Sequence, residues 1–236
     1  MKTYGLQNLK FTKKKILFCG KSNDIYSNKI IQFLKKKKVQ LKVILSGFEK
    51  KLKKKQINSI YSDKYDFILS FRSKIIINVK KIDKECIPIN FHPGPPKYRG
   101  IGCVNFALLN NEKKYGATAH IMSNIIDYGQ ILDVKKFRIS DNLNLEAVLD
   151  KTYKIQLKQF KKLINKLLDN NFNLKNIIKK NKNIKWSKKL FLKKDLLKLY
   201  NLSNNIDKYK TKNLIRATLT KEYKPYFKIQ NMLFRL

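Results

Sequence analysis

Short apolar runs alternate with stretches whose apolar positions recur at helical spacing, and this alternation organises the first half of the chain. Lys15-Ile16-Leu17-Phe18-Cys19-Gly20 is an apolar run closed by a glycine, the pattern of a strand buried on both faces. Asn28 to Lys37 carries Ile30, Ile31, Phe33 and Leu34 at helical spacing and predicts a helix. Gln40–Leu45, Phe67–Phe71 and Ile87–Phe91 predict further strands. Strands separated by helices imply an α/β domain with a mainly parallel sheet and crossover helices. Ligands of such sheets sit at the strands' carboxyl ends. Asn90 and Phe71-Arg72-Ser73 fall there.

The second half reads differently. Ala117–Met122 and Ile131–Phe137 predict a hairpin around the loop that holds Asp127. Asn144 is a predicted N-cap, with Glu146 in the first turn of a helix running toward Leu168. Its stripe is Leu145, Val148, Leu149, Thr152, Ile155, Phe160, Leu163, Ile164 and Leu167. Asn173 to Lys189 is rich in Lys and Asn and predicts a linker or loop. Leu190–Leu202 is amphipathic, and Tyr223–Leu236 predicts a terminal hairpin. The organisation expected is a catalytic domain over 1–170, a linker over 171–189 and an extension over 190–236. The extension is too short for a core of its own, yet carries Phe191, Tyr226, Phe227 and Phe234. It is therefore expected to pack on the catalytic domain or on a second subunit.

The chemistry concentrates in Ile89-Asn90-Phe91-His92-Pro93-Gly94-Pro95-Pro96-Lys97-Tyr98-Arg99-Gly100. Side chains two apart on a strand share a face, so Asn90 and His92 project together from the strand's end. Pro93 stops the ladder there. An amide donor beside an imidazole suits a developing oxyanion. Thirty-five residues after His92 comes Asp127, in a tight loop with Gly129. Gly20-Lys21-Ser22-Asn23-Asp24 has neither a G-x-G-x-x-G nor a Walker pattern, which argues against dinucleotide or nucleoside-triphosphate chemistry.

From Asn90 to Leu132 the chain resembles the catalytic core of the formyltransferases that use 10-formyltetrahydrofolate. The resemblance rests on Asn90 with His92, Pro96 to Gly100, Asn105-Phe106-Ala107-Leu108-Leu109-Asn110-Asn111-Glu112, Gly116-Ala117-Thr118-Ala119-His120 and Asp127-Tyr128-Gly129. It implies a Rossmann-like formyltransferase fold and attack of a neutral amine on a folate-borne formyl carbon. It implies that Asn90 bonds the formyl oxygen, His92 stabilises the oxyanion, and Asp127 accepts the amine proton and orients His92. It also implies folate contacts from Phe71, Arg72, Ser73, Lys74 and Ile75, and from Ile125, Tyr128 and Gly129. Lys97, Tyr98 and Arg99 are expected to orient the acceptor or its phosphates, or to be plain turn residues. His120 is expected either at the acceptor or as a packed histidine near the site.

His92-Pro93-Gly94-Pro95-Pro96 resembles the branch that formylates amino sugars on nucleotide carriers, as do Arg216-Ala217-Thr218 and Tyr226-Phe227-Lys228-Ile229. The tRNA-directed members carry a β-barrel after the catalytic domain, and the residues after the predicted linker are too few for one. The acceptor expected is thus a nucleotide sugar, with methionyl-tRNA as the rival. A catalytically silent RNA-binding protein on the same fold is the reading from another class, and Asn90, His92 and Asp127 argue against it.

Charge bears on that choice. The formal net charge is +38 over 236 residues, which invites polyanions. Only five of the 54 basic residues are Arg, whereas phosphate and base readers favour the bidentate Arg fork. Lys, Asn and Ile abundance instead matches drift toward A/T-rich codons. A hydrophobic content of 43% argues against disorder. Cys19, Cys86 and Cys103 form no Cys-x-x-Cys pair and predict neither a disulfide framework nor a metal site. Cys103 is expected as a buried apolar residue or at the site's edge. No apolar run approaches a membrane span or a signal peptide, so a cytoplasmic protein, with a homodimer as a further possibility, is expected.

Overall fold

A computed structural model describes residues 13–47, 52–169, 174–202, 207–229 and 232–236. In chain order the elements are β1 (Lys15–Lys21), α1 (Ile25–Lys35), β2 (Gln40–Ser46), α2 (Lys54–Ser62), β3 (Phe67–Phe71), β4 (Ile87–His92), β5 (Arg99–Gly100), α3 (Cys103–Leu109), β6 (Lys114–Ile121) and β7 (Ile131–Arg138). They continue as α4 (Leu145–Leu167), α5 (Leu174–Lys180), β8 (Leu190–Phe191), α6 (Lys193–Tyr200), β9 (Asn201–Leu202), α7 (Lys208–Thr218), β10 (Tyr226–Ile229) and β11 (Met232–Arg235). The central sheet has the order β2-β1-β3-β4-β6-β7, and the pairs β1–β2, β1–β3 and β3–β4 are parallel. The chain divides into two compact units, one of Met1–His92, Ala119–Asp133 and Leu157–Asn183, the other of Pro93–Thr118, Val134–Gln156 and Ile184–Leu236.

In the first unit the sheet buries both faces, as the unbroken apolar runs require. One face is built on Leu17, Cys19, Ile44, Ile60, Tyr65, Ile68, Ile82 and Cys86. On the other, Phe160 of α4 meets Phe18, Phe71 and Phe91. Phe71 and Phe91 are register partners, and so are Ser70 and Asn90. Strand alternation therefore sends the two phenyl rings to Phe160 and turns Ser70 and Asn90 to the opposite face.

Helix α1 starts at Ile25 rather than Asn28, because the Asp24 carboxylate caps it by accepting from the Ser27 amide at 2.8 Å. Asn144 caps α4 as predicted, its Oδ1 accepting from the Ala147 amide at 2.9 Å. Leu174–Lys180, predicted as a linker, is helical. Leu174, Ile177 and Ile178 stand at helical spacing within the low-complexity stretch, and Leu174 is buried. The Asn170, Asn171 and Asn173 positions of that predicted boundary lie outside the described residues.

The second unit is centred on α3, α7 and the β5–β8 pair. Phe191 stacks on Phe106 with ring centroids 3.9 Å apart, and Asn105 Nδ2 donates to the Ala217 carbonyl at 2.7 Å. Phe191 and α7 thus pack on α3. Gly100, at φ +87°, passes so close to β8 that an added Cβ would lie 2.2 Å from the Phe191 carbonyl oxygen. The terminal strands β10 and β11 pair antiparallel, Tyr226 opposite Arg235. Among the described residues no helix is long and apolar enough to cross a membrane.

Candidate active site

Strand β4 ends at His92, and its alternation brings Asn90 and His92 to one face together with the Asp127 loop. The His92 Nδ1 lies 3.2 Å from Asp127 Oδ2. Asn90 Nδ2 donates to Asp127 Oδ1 at 3.2 Å and lies 3.3 Å from His120 Nε2. His120 Nε2 is in turn 3.5 Å from Asp127 Oδ1. Three polar side chains thus surround one carboxylate, and both of the chain's histidines are among them.

The loop that delivers Asp127 is held by two local features. Asp127 itself adopts φ 45°, a left-handed conformation that Asp and Asn tolerate better than other side chains. Gly129 lies against the end of β6, where an added Cβ would come within 1.7 Å of the Ile121 carbonyl oxygen. The glycine is needed for this close approach of two backbones. Gly129→Ala is expected to displace the loop, lowering stability by about 1–3 kcal/mol together with activity. Thermal unfolding and turnover measured on the same preparation check this.

A cavity of about 520 Å³ opens beside these groups, lined by Asn90, His120 and Asp127, by Ser70 and Ser73, and by the segments 75–80 and 122–126. A second cavity of about 490 Å³ shares Val79, Lys80, Met122, Ser123 and Asn124 with it. The second is the more apolar, with Ile82, Cys86, Pro88 and Ile121 in its wall beside Tyr128 and Gly129. Both sizes suit small ligands. His92 is not among the lining residues, its ring being 2% exposed, and it meets the cavity's polar groups through Asp127.

The remaining predicted positions divide. Ile75 and Ile125 line the first cavity, Tyr128 and Gly129 the second. Phe71 is fully buried in the aromatic cluster and lines neither cavity. Arg72 reaches back to Asp24 at 2.5 Å, and Ser73 Oγ lies 3.3 Å from Ser46 Oγ. The Lys74 amide donates to Ser46 Oγ at 2.9 Å. These contacts shape the loop after β3.

Tyr98 and Arg99, expected to orient an acceptor or to be plain turn residues, are buried side chains. Tyr98 is 2% exposed and stacks on Phe191, while its hydroxyl donates to Glu112 at 2.9 Å and accepts from Asn110 at 3.0 Å. Burial pushes its phenol up. Arg99 is 4% exposed and donates to the Ser187 carbonyl at 2.9 Å. Both side chains belong to the second unit's interior, where turn spacing alone could not place them. Lys97 is exposed and paired with Glu112.

Cys103 is buried among the apolar residues of the second unit. Burial pushes the Cys19 and Cys86 thiols up to about 12, which keeps them protonated and poor nucleophiles. Val79, Lys80, Met122, Ser123 and Asn124 line both cavities without any motif to announce them. Only their positions flanking the Asp127 loop and following β3 could have singled them out.

Residues 66–164 match the family model for formyl transferases. Among curated relatives, a methionyl-tRNA formyltransferase of Finegoldia magna is 34% identical over 74 residues, 31% of this chain and 23% of that protein. The chain thus aligns with under a quarter of that relative's length. Among solved structures, a 4-N formyltransferase from Francisella tularensis superposes with a TM-score of 0.76 at 23% identity, covering 94% of this chain and 96% of its own. An N-formyltransferase from Helicobacter canadensis, solved with folinic acid and dTDP-3-aminofucose, superposes with a TM-score of 0.70 at 23% identity over 93% of this chain and 85% of its own. The matched segment contains β3 through most of α4, and with them Asn90, His92, His120 and Asp127. Residues 66–164 are thus similar in sequence to formyl transferases, and the chain shares its fold with these solved N-formyltransferases.

Proposed function

We propose that this protein transfers a formyl group from 10-formyltetrahydrofolate to the primary amine of a nucleotide-linked amino sugar. The observation that carries the reading is the convergence of Asn90, His92 and Asp127 at the carboxyl end of β4, beside a cavity of ligand size. The donor's ring system suits the more apolar cavity, and its formyl-bearing nitrogen then lies toward Asn90 and Asp127.

In this reading the amine nitrogen attacks the formyl carbon and the carbonyl pair moves onto oxygen. Asn90 and His92 stabilise that oxyanion. Asp127 takes a proton from the attacking nitrogen, directly or through a water, and the His92 imidazole beside it steadies the carboxylate. Collapse breaks the bond to the folate nitrogen, which leaves with a proton as tetrahydrofolate. Holding both reactants at one strand end makes the encounter effectively unimolecular.

Methionyl-tRNA is the second reading, supported by the names of most curated relatives the chain matches and by the +38 charge. One assay separates the two. Purified protein is offered 10-formyltetrahydrofolate with a panel of dTDP-, UDP- and GDP-linked amino sugars and with methionyl-tRNA, and release of tetrahydrofolate is followed. Turnover with a nucleotide sugar, and RNA binding that collapses as salt rises, is the expected result. Formylation of methionyl-tRNA alone, with tight binding at physiological salt, would reverse the assignment.

A further inference from the structure

The bonding pattern around His120 fixes its proton, and that proton fixes Asn90. The Asp127 carboxylate can only accept, so the Asn90 atom 3.2 Å from its Oδ1 must be the amide nitrogen. The same nitrogen, a donor with no lone pair to offer, lies 3.3 Å from His120 Nε2. For that contact to attract, Nε2 must be the unprotonated ring nitrogen. The opposite end agrees independently. His120 Nδ1 lies 3.0 Å from the Ile121 carbonyl oxygen, an acceptor only, so Nδ1 must carry the hydrogen. The three shorter contacts thus agree on one tautomer, and they outweigh the 3.5 Å separation of Nε2 from Asp127 Oδ1, which lies at the outer limit of a hydrogen bond.

On this basis, and resting on the formyl-transfer reading above, we infer that His120 is a positioning residue for Asn90 rather than an acceptor contact. Its Nε2 lone pair holds one amide hydrogen of Asn90 while Asp127 holds the other. The carboxamide is thereby kept from flipping, which would set its oxygen against a carboxylate. His120 is 2% exposed, so water does not readily replace it in this task. As negative charge builds on the formyl oxygen, the amide hydrogen held by the neutral imidazole is the cheaper of the two to give up, because a carboxylate is the stronger acceptor. The arrangement stores a donor in the right place and releases it when the oxyanion forms.

Two measurements test this, and they fail separately. The chain has two histidines, so long-range proton–nitrogen NMR of histidine-labelled protein resolves both rings, with His120→Gln supplying the assignment. At mildly alkaline pH His120 is expected with its hydrogen on Nδ1. A hydrogen on Nε2, or a ring protonated on both nitrogens, overturns the inference whether or not formyl transfer is observed. In kinetics, His120→Leu is expected to lower kcat about 10²-fold, the scale of a misplaced catalytic group, with KM for donor and acceptor little changed. His120→Gln, which can place an amide oxygen where Nε2 stands, should recover most of that loss. A Leu variant with unaltered kcat, or a folded Gln variant as slow as Leu, counts against the positioning role. Wild-type protein with no transfer to any acceptor would sink the formyl-transfer reading while leaving the tautomer result to stand.

Discussion

Asp127→Asn should fold as the wild type does and lose about 10²–10⁴ in turnover, the range spanned by a positioned general base. The substitution preserves shape, and asparagine tolerates the φ of 45° that this position adopts. What changes is the ability to hold a proton. The amide also offers only one acceptor where the carboxylate now serves His92 through Oδ2 and Asn90 through Oδ1. Asp127→Ala confounds the two effects, because a left-handed alanine costs about 1–2 kcal/mol on its own. Single-turnover rates with saturating donor, read beside thermal unfolding, separate chemistry from stability. An Asn variant with near wild-type turnover would remove Asp127 from the proposed mechanism.

Asn90→Ala is expected to cost about 10²–10³ in kcat, the usual loss for one oxyanion donor. It should also lower stability by about 1–3 kcal/mol, because Asp127 Oδ1 and His120 Nε2 each lose a donor in a poorly hydrated place. The kinetic loss should appear in kcat more than in the KM of either substrate, since the interaction strengthens only as charge develops. A variant that binds the donor ten times more weakly yet turns over normally at saturation would make Asn90 a binding group instead.

The early strands were legible because buried parallel strands leave a local signature, unbroken apolar runs such as Ile16 to Cys19 and Phe67 to Leu69. The N-cap at Asn144 was legible for the same reason, since capping depends on a few neighbouring residues. Helix α2 leaves no such signature: Lys53 to Gln56 is polar, and only burial of Ile60 against the sheet reveals its inward face. Helix α5 has the composition of a linker because lysine and asparagine dominate it, while its few apolar positions count only once Leu174 has something to bury against.

By itself the sequence determined which residues could perform the chemistry, through period-two spacing of Asn90 and His92 and the Asp127-x-Gly129 loop. Tertiary structure alone decided which partners those side chains have. The alternation of β3 and β4 turns Ser70 and Asn90 away from Phe160, and the close approach of Gly129 to Ile121 brings Asp127 to the strand end. The same cause gives Tyr98 and Arg99 their stacking and carbonyl partners, Phe191 and Ser187, about ninety residues away along the chain. Local propensity and spacing act over a few residues, whereas burial and hydrogen-bond pairing are settled by whatever the fold brings near.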